Sequence, residues 1–327
     1  MYESIFSATT TAAQLLRDFQ MKRISHAYLI VGEQGSGKNT LAHAFAHLLL
    51  CENPKDCTPC GVCQSCVYMN SFQTHPGLTV LKKDPKKATI GVQEMREAVA
   101  GIYEFPYFGA RKVYIVTDAE LLTVQAQNAL LKILEEPPEY AVFLLLSAKR
   151  QAMLPTIISR CRTLSMSPYT SEVLFHIAQE QAPLLNTQEI SKIVRRSCGL
   201  PGKLISLLDS EAYQQQIAQL SSCIDALLTH NIEQLLLIAD GQPSRENALE
   251  LTEELSSFMR DAMVYHIAHD NAMLVNEDLL PLIQKLTNSA SLKQIADYLE
   301  QIHLSKKMLM SNASYTLCIK TLLLKWQ

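Results

Sequence analysis

No stretch of the sequence reaches the ~18 uninterrupted apolar residues that a membrane-spanning helix requires. The opening MYESIFSATTTAAQLLRDF also lacks the cationic start and apolar core of a secretory signal. Membrane insertion and secretion are therefore not expected, and a cytoplasmic location is. Charge imbalance is missing too: 29 Lys and Arg stand against 32 Asp and Glu, a net charge of −3. So slight a balance argues against a chain that grips DNA alone over a broad surface, while leaving room for a local basic face or for binding within an assembly. There is no internal repeat and no low-complexity tract in the 327 residues. With 48% of them apolar and 19% charged, an ordinary globular protein of two or three domains is expected.

Strand signals are absent after Pro168. Before it, short apolar runs at His26 to Val31, Leu78 to Leu81, Val113 to Val116 and Val142 to Leu146 alternate with helical patterns at Thr11 to Met21, Lys38 to Leu50, Val92 to Tyr103 and Val124 to Glu136. That order predicts an α/β domain with a doubly wound parallel sheet buried on both faces. The remainder reads as helices broken at Pro183, Gly199 to Gly202 and Gly241 to Ser244. Three parts are expected: 1–166, a small helical part at 167–208, and a larger helical bundle at 209–327 whose Ala248, Leu251, Leu255, Phe258 and Met259 recur at core spacing.

Gly32 to Lys38, GEQGSGK, fits a phosphate-binding loop set between a strand and a helix, with Gly35 and Gly37 inside it. Lys38 would reach the β- and γ-phosphates of a nucleotide as a point charge. The next residue normally gives a hydroxyl to Mg²⁺, but here it is Asn39, whose amide oxygen stands farther from the backbone than octahedral coordination at about 2.1 Å tolerates. Thr40 does not substitute, because one helical step turns a side chain by roughly 100°. A second departure lies in KVYIVTDAELL, where one of two adjacent acids is missing: either Thr117 replaces the metal-holding one, or Asp118 holds the metal and Ala119 replaces the water-activating one. ATP and Mg²⁺ are thus doubtful ligands, and the loop is either a scaffold or a residual nucleotide site.

Nine cysteines in a reducing compartment point to metal rather than to disulfides. Cys60, Cys63 and Cys66 form CxxCxxC, and Cys51 or Cys57 completes a set of four thiolates suited to a closed, structural Zn²⁺ site. Spacing does not choose between those two. Cys198, Cys223 and Cys318 fall in helical contexts and are expected in the core.

With the loop, the cysteines, NALLKILEEPPEY at Asn128 to Tyr140 and LPTIISRCR at Leu154 to Arg162, the chain resembles the δ′ subunits of bacterial DNA polymerase III clamp loaders. The likeness runs from HAYLIVG at His26 through GLPGKLISLL at Gly199. It implies an AAA+ P-loop domain with an inserted zinc module, then a helical lid and an all-α C-terminal collar. It also implies zinc on Cys51, Cys60, Cys63 and Cys66, with Cys57 the spare, and a role as a stator without ATPase activity of its own. Implied partners are δ and γ or τ subunits, the sliding clamp, and primed DNA through the complex. Arg160 is the implied arginine finger, acting in trans on a neighbour's γ-phosphate, against the alternative of a surface arginine paired with a local carboxylate. Gly202 stands where motor relatives carry a nucleotide-sensing arginine, and Lys203 beside it is expected to face solvent.

His75 before Pro76 reads as a structural turn, and Lys82, Lys83, Lys86 and Lys87 as a solvated loop. A DNA-facing role for Asn128 and Lys132, on one helix face, stays open. Two further readings compete with the stator: a γ/τ-type AAA+ ATPase working through Lys38 and Asp118, and a zinc-dependent DNA-binding regulator.

Overall fold

The computed structural model describes residues 9–72, 74–311 and 313–326; the first eight residues of the expected first part lie outside them. The described residues fall into two compact units, 9–177 with 199–203, and 178–198 with 204–326.

The first unit opens with α1 (Thr10–Gln20), started by the Thr9 hydroxyl accepting from Ala12 N–H at 3.1 Å. Then follow β1 (Ala27–Val31), α2 (Lys38–Leu50), α3 (Gln64–Phe72), β2 (Leu78–Leu81), α4 (Val92–Val99), β3 (Lys112–Val116), α5 (Val124–Glu135), β4 (Ala141–Ser147), α6 (Pro155–Arg160), β5 (Arg162–Ser165) and the start of α7 (Ser171–Gln181). The five strands are parallel in the order β2-β3-β4-β1-β5. Alternate residues of each strand serve opposite faces. Leu29, Val116, Phe143 and Leu145 pack with Met95, Leu130 and Ile157 from α4, α5 and α6. Tyr28, Ile30, Ile115 and Leu144 pack with Leu15, Leu41 and Phe45 from α1 and α2. Both faces are covered, as the continuous apolar strands require.

Two elements depart from expectation. The helix that begins at Val92 stops at Val99 rather than Tyr103, with Gly101 in the turn that ends it. Strand β5 has no strong sequence signature because it is an edge strand in which only Leu164 of four residues is buried.

The second unit is entirely helical: the end of α7, then α8 (Thr187–Arg196), most of α9 (Pro201–Leu207), α10 (Ser210–Leu228), α11 (Ile232–Asp240), α12 (Arg245–Ala268), α13 (Leu280–Ser289), α14 (Leu292–Leu309) and α15 (Tyr315–Leu324). Capping boxes open α8 at Asn186 with Glu189 and α14 at Ser291 with Gln294. The long α12 packs against α13 and α14, and its Ala248, Leu251, Leu255, Phe258 and Met259 are all in the core, as their spacing predicts. A polar network in this unit is built on the buried pair Arg196 and Glu254. Arg196 pairs with Glu254 at 2.5 Å, Arg196 lies 5.7 Å from the Tyr213 ring centre, and Asp278 accepts from Tyr213 and Lys192.

Cys223 and Cys318 are buried, but the expectation for Cys198 is corrected: it is exposed, at φ 52. It follows the last turn of α8, and with Gly199 at φ +83 it turns the chain out of the helix, so it presents no face to a core. No helix among the described residues is long and apolar enough to cross a membrane.

Candidate functional site

The cysteine cluster forms where α2 runs out. Cys51 caps that helix in extended conformation, Cys60 and Cys63 lie on the loop that follows, and Cys66 sits in the first turn of α3. The four sulfurs all lie within 4.8 Å of one another, with Cys51 to Cys63 at 4.0 Å and Cys60 to Cys66 at 3.9 Å. A tetrahedron of sulfurs about 2.3 Å from a metal has edges of about 3.8 Å, so the cage is already close to the size for Zn²⁺. Cys57 is outside it, at φ 63 and packed beside the α1–α2 core, so the fourth sulfur of the cluster is that of Cys51.

The donor set also fits a cation chemically. Main-chain N–H groups of Cys60, Cys63 and Cys66 donate to the sulfurs of Cys51, Cys60 and Cys63 at 3.2, 3.4 and 3.4 Å. Donors from Val62 and Cys63 pull the Cys60 thiol down to about 6, while burial pushes Cys51 and Cys66 up. Four clustered thiolates need a cation to carry them together. All four positions are sulfur, so the arrangement is closed and suits structure rather than catalysis.

Behind the cage stands a relay that the sequence did not reveal. Gly77 N–H donates to His75 Nδ1 at 2.9 Å, which puts the ring proton on Nε2, facing Ser65 Oγ at 3.0 Å. Ser65 in turn donates to Glu52 Oε1 at 3.0 Å. The residues following Cys51 and preceding Cys66 are thereby tied to the turn before β2. His75 is structural, as expected, and burial lowers its pKa.

The phosphate loop occupies the C-terminal edge of the sheet, where ligands bind in open α/β folds. Gly32 N–H bonds Ser147 O of β4 at 3.0 Å, and Gly35 and Gly37 take φ of +79° and +83°, which a side chain resists. Lys38 Nζ donates to Gly32 O and Glu33 O at 2.7 and 2.8 Å. Burial lowers its pKa, opposed by the Glu120, Asp118 and Glu33 carboxylates. Asn39 is exposed and Thr40 half-buried on the first turn of α2.

At the end of β3, Thr117 is buried, its N–H and hydroxyl both bonded to Leu81 O at 3.0 and 3.2 Å. Asp118 is exposed in left-handed conformation, and Ala119 is fully buried. An acid unremarked in the sequence, Glu120, accepts from Ala148 N–H at 3.1 Å and is the carboxylate acting most strongly on Lys38. Its signal was only its place two residues after Asp118.

Arg160 closes α6, opened by Pro155 at its first turn, and the buried Cys161 anchors the residue after it. Its guanidinium bonds Glu135 Oε1 at 2.9 Å and Thr156 O at 3.2 Å. Asn128 and Lys132 are exposed and line a groove of about 670 Å³ with Arg96, Val99, Tyr103 and Gln125. Lys203 is half-buried; Lys82, Lys86 and Lys87 are exposed, and Lys87 pairs with Glu94. Gln127, between α5 and the approach to α6, donates to Leu122 O and Ala152 O and accepts from Leu154 N–H. It is buried, and a lone glutamine carries no sequence signal of such a role.

A family model described as DNA polymerase III, delta subunit, matches residues 8–170. The DNA polymerase III subunit delta′ of Escherichia coli (strain K12) is 30% identical over 298 residues, covering 91% of this chain and 87% of that protein. The subunit delta′ of Pseudomonas aeruginosa is 30% identical over 306 residues, 92% of each. The subunit gamma/tau of Mycobacterium tuberculosis is 32% identical over 191 residues, covering 57% of this chain and 33% of that protein. Likeness to delta′ thus runs through nearly the whole of both chains, whereas likeness to this gamma/tau is partial. The chain belongs to the DNA polymerase III subunit delta′ family of clamp-loader proteins.

Proposed function

We propose that this chain is the non-hydrolysing stator of a clamp loader, which lends Arg160 to the ATP site of an adjacent γ or τ subunit while the sliding clamp is placed on primed DNA. Its partners in that role are δ and γ or τ, and DNA is met through the complex. Zn²⁺ on Cys51, Cys60, Cys63 and Cys66 is structural. The three-part organisation, with a P-loop domain at 1–166, a lid at 167–208 and a collar at 209–327, belongs to the same reading.

The observation that carries the proposal is the end of β3. A hydrolysing site needs a carboxylate there to hold Mg²⁺. In one register Thr117 stands in that place, buried with its hydroxyl donating to Leu81 O; in the other Asp118 keeps the metal-holding place and the buried Ala119 replaces the water-activating acid, and either way one member of the pair is missing. Asn39 adds a second defect at the metal, so Gly32, Gly35, Gly37, Lys38, Asn39, Thr40 and Asp118 make a degenerate loop. Arg160, by contrast, keeps a partly exposed guanidinium at a helix end.

The alternative of a γ/τ-type motor draws on one observation, the retention of Lys38 with two carbonyls orienting it. Incubating the purified chain with Mg²⁺ and ATP separates the two readings: no sustained turnover is expected, and turnover dependent on Lys38 would remove the stator. For the finger, Arg160→Ala should leave assembly intact and reduce ATP hydrolysis by the reconstituted complex. Unchanged rates would refute the role.

A further inference from the structure

The phosphate loop and the 199–203 segment meet backbone to backbone, with no side chain between them at the point of contact. Gly202 N–H donates to Gly35 O at 2.8 Å. A Cβ placed on Gly202 would lie 2.7 Å from Gly35 Cα and 3.0 Å from its oxygen. One on Gly35 would lie 3.4 Å from Lys203 N. Two residues on, Gly37 faces the Tyr169 hydroxyl and Pro201, at 3.3 and 3.5 Å from the position of a Cβ. Tyr169 N–H donates to Gly199 O at 2.9 Å, and a Cβ on Gly199 would strike that of Pro168 at 2.5 Å. Every one of these atoms belongs to the first unit.

We propose that this contact is a latch that holds the 199–203 segment on the phosphate loop in the absence of nucleotide. It deepens the stator reading and takes its functional meaning from it, although the geometry stands by itself. Where an arginine at position 202 would sense a phosphate through charge, glycine removes the sensor and allows an approach that no other residue permits. The contact is made twice over, by the Gly35–Gly202 hydrogen bond and by Tyr169 and Pro201 against Gly37. The Tyr169 hydroxyl is buried without a hydrogen-bond partner among the described residues, so the ring is held there by packing. Backbone atoms on both sides leave little room to relax. A segment fastened in this way has no need of ATP to order it, which is what a stator requires.

One consequence needs no mutation. Gly202 is the second residue of α9, and the first N–H groups of a helix have no intrahelical acceptor. Its amide should exchange at close to the free rate unless Gly35 O protects it. The test is amide hydrogen exchange on the full zinc-loaded chain, resolved at Gly202 by NMR and over residues 32–38 and 199–203 by mass spectrometry, with and without saturating Mg²⁺–ATP. The latch predicts a protected Gly202 amide and no change on adding Mg²⁺–ATP. In Gly202→Ala, exchange of both stretches should speed up by about tenfold, the scale of one lost hydrogen bond, with residues 141–147 unchanged. Alanine is the better helix former, so acceleration reports the broken contact. A Gly202 amide exchanging freely, a wild-type segment that releases when Mg²⁺–ATP is added, or an unaffected Gly202→Ala chain would each overturn the latch. ATP turnover by the wild type with the Gly202 amide still protected would instead remove the stator reading and leave the latch standing.

Discussion

Cys63→Ser tests the metal cage at the residue whose sulfur both faces Cys51 at 4.0 Å and accepts the Cys66 N–H at 3.4 Å. Serine keeps the size and removes a soft ligand, so the site drops from four thiolates to three. The wild-type chain should carry about one equivalent of zinc by metal analysis, and the variant should lose it. Hydrogen bonds to charged acceptors contribute about 1.5–3 kcal/mol, against about 0.5–1.5 kcal/mol for neutral ones. Loss of metal returns a proton to Cys51, whose pKa burial raises, so the Cys60 amide that donates to it should lose about 1–2 kcal/mol of protection, roughly five- to thirtyfold in exchange, whereas the Cys63 amide keeps an ionised Cys60 acceptor at neutral pH. Strands β1 and β4 are buried among α1, α2, α4, α5 and α6, and should exchange as before. Hydrogen exchange with mass spectrometry reads both regions in one experiment. A folded, metal-free wild type at neutral pH with the Cys60 amide still protected would refute the assignment.

Three further outcomes follow from buried and half-buried polar groups. Glu254→Leu strands Arg196, which is 1% exposed, and removing one partner of a buried pair costs about 3–5 kcal/mol; urea unfolding should show it, with Arg196→Met added to Glu254→Leu recovering most of the loss. His75→Ala removes the acceptor of Gly77 N–H and the link to Ser65, and should cost about 1–3 kcal/mol in thermal unfolding of the zinc-loaded chain. Burial alone would raise the Asp278 carboxyl, but hydrogen bonds from Lys192 and Tyr213 outweigh it and hold the group below its ordinary value. A carboxyl lowered in the fold contributes stability above its unfolded pKa of about 3.9, lost as pH falls through the folded value. Asp278→Asn should therefore be less stable than wild type at pH 7, with the difference closing progressively below about pH 4.

What the sequence made legible follows from how local each signal is. Strands β1, β3 and β4 announce themselves through nearly continuous apolar runs, because burial on both faces leaves little room for polar residues inside them, while β2, half-buried at one edge, shows only its Leu and Val. Strand β5, half-exposed at an edge, leaves no such trace. The CxxCxxC spacing discloses three ligands because each lies within a turn of the next, while the choice of Cys51 over Cys57 depends on how α2 ends. Glu120 and Gln127 act through partners brought up by β4 and by the approach to α6, and the Gly35–Gly202 contact joins stretches far apart in the chain. Pattern reading sees glycine at 202 only as an arginine that is missing. The structure adds that the absent side chain makes room for the loop itself.

The pairing of Arg160 with Glu135 bears directly on whether that arginine is available to a neighbour. Its side chain is 36% exposed and that of Glu135 53%. An ion pair in such surroundings contributes about 0–1 kcal/mol, since water screens it and both side chains lose freedom to make it. A guanidinium engaging the charge developing on a γ-phosphate accelerates hydrolysis by on the order of 10³ to 10⁵, or about 4–7 kcal/mol. The stronger interaction would decide: local pairing would not compete with the proposed action in trans, in which Glu135 would at most orient the side chain between encounters. Glu135→Gln should therefore change ATP hydrolysis by the reconstituted complex less than about fivefold, whereas Arg160→Ala should abolish the share due to the adjoining site. If the two variants reduce the rate equally, the guanidinium works through its own carboxylate inside this subunit, and the transfer of Arg160 to a partner's phosphate is wrong.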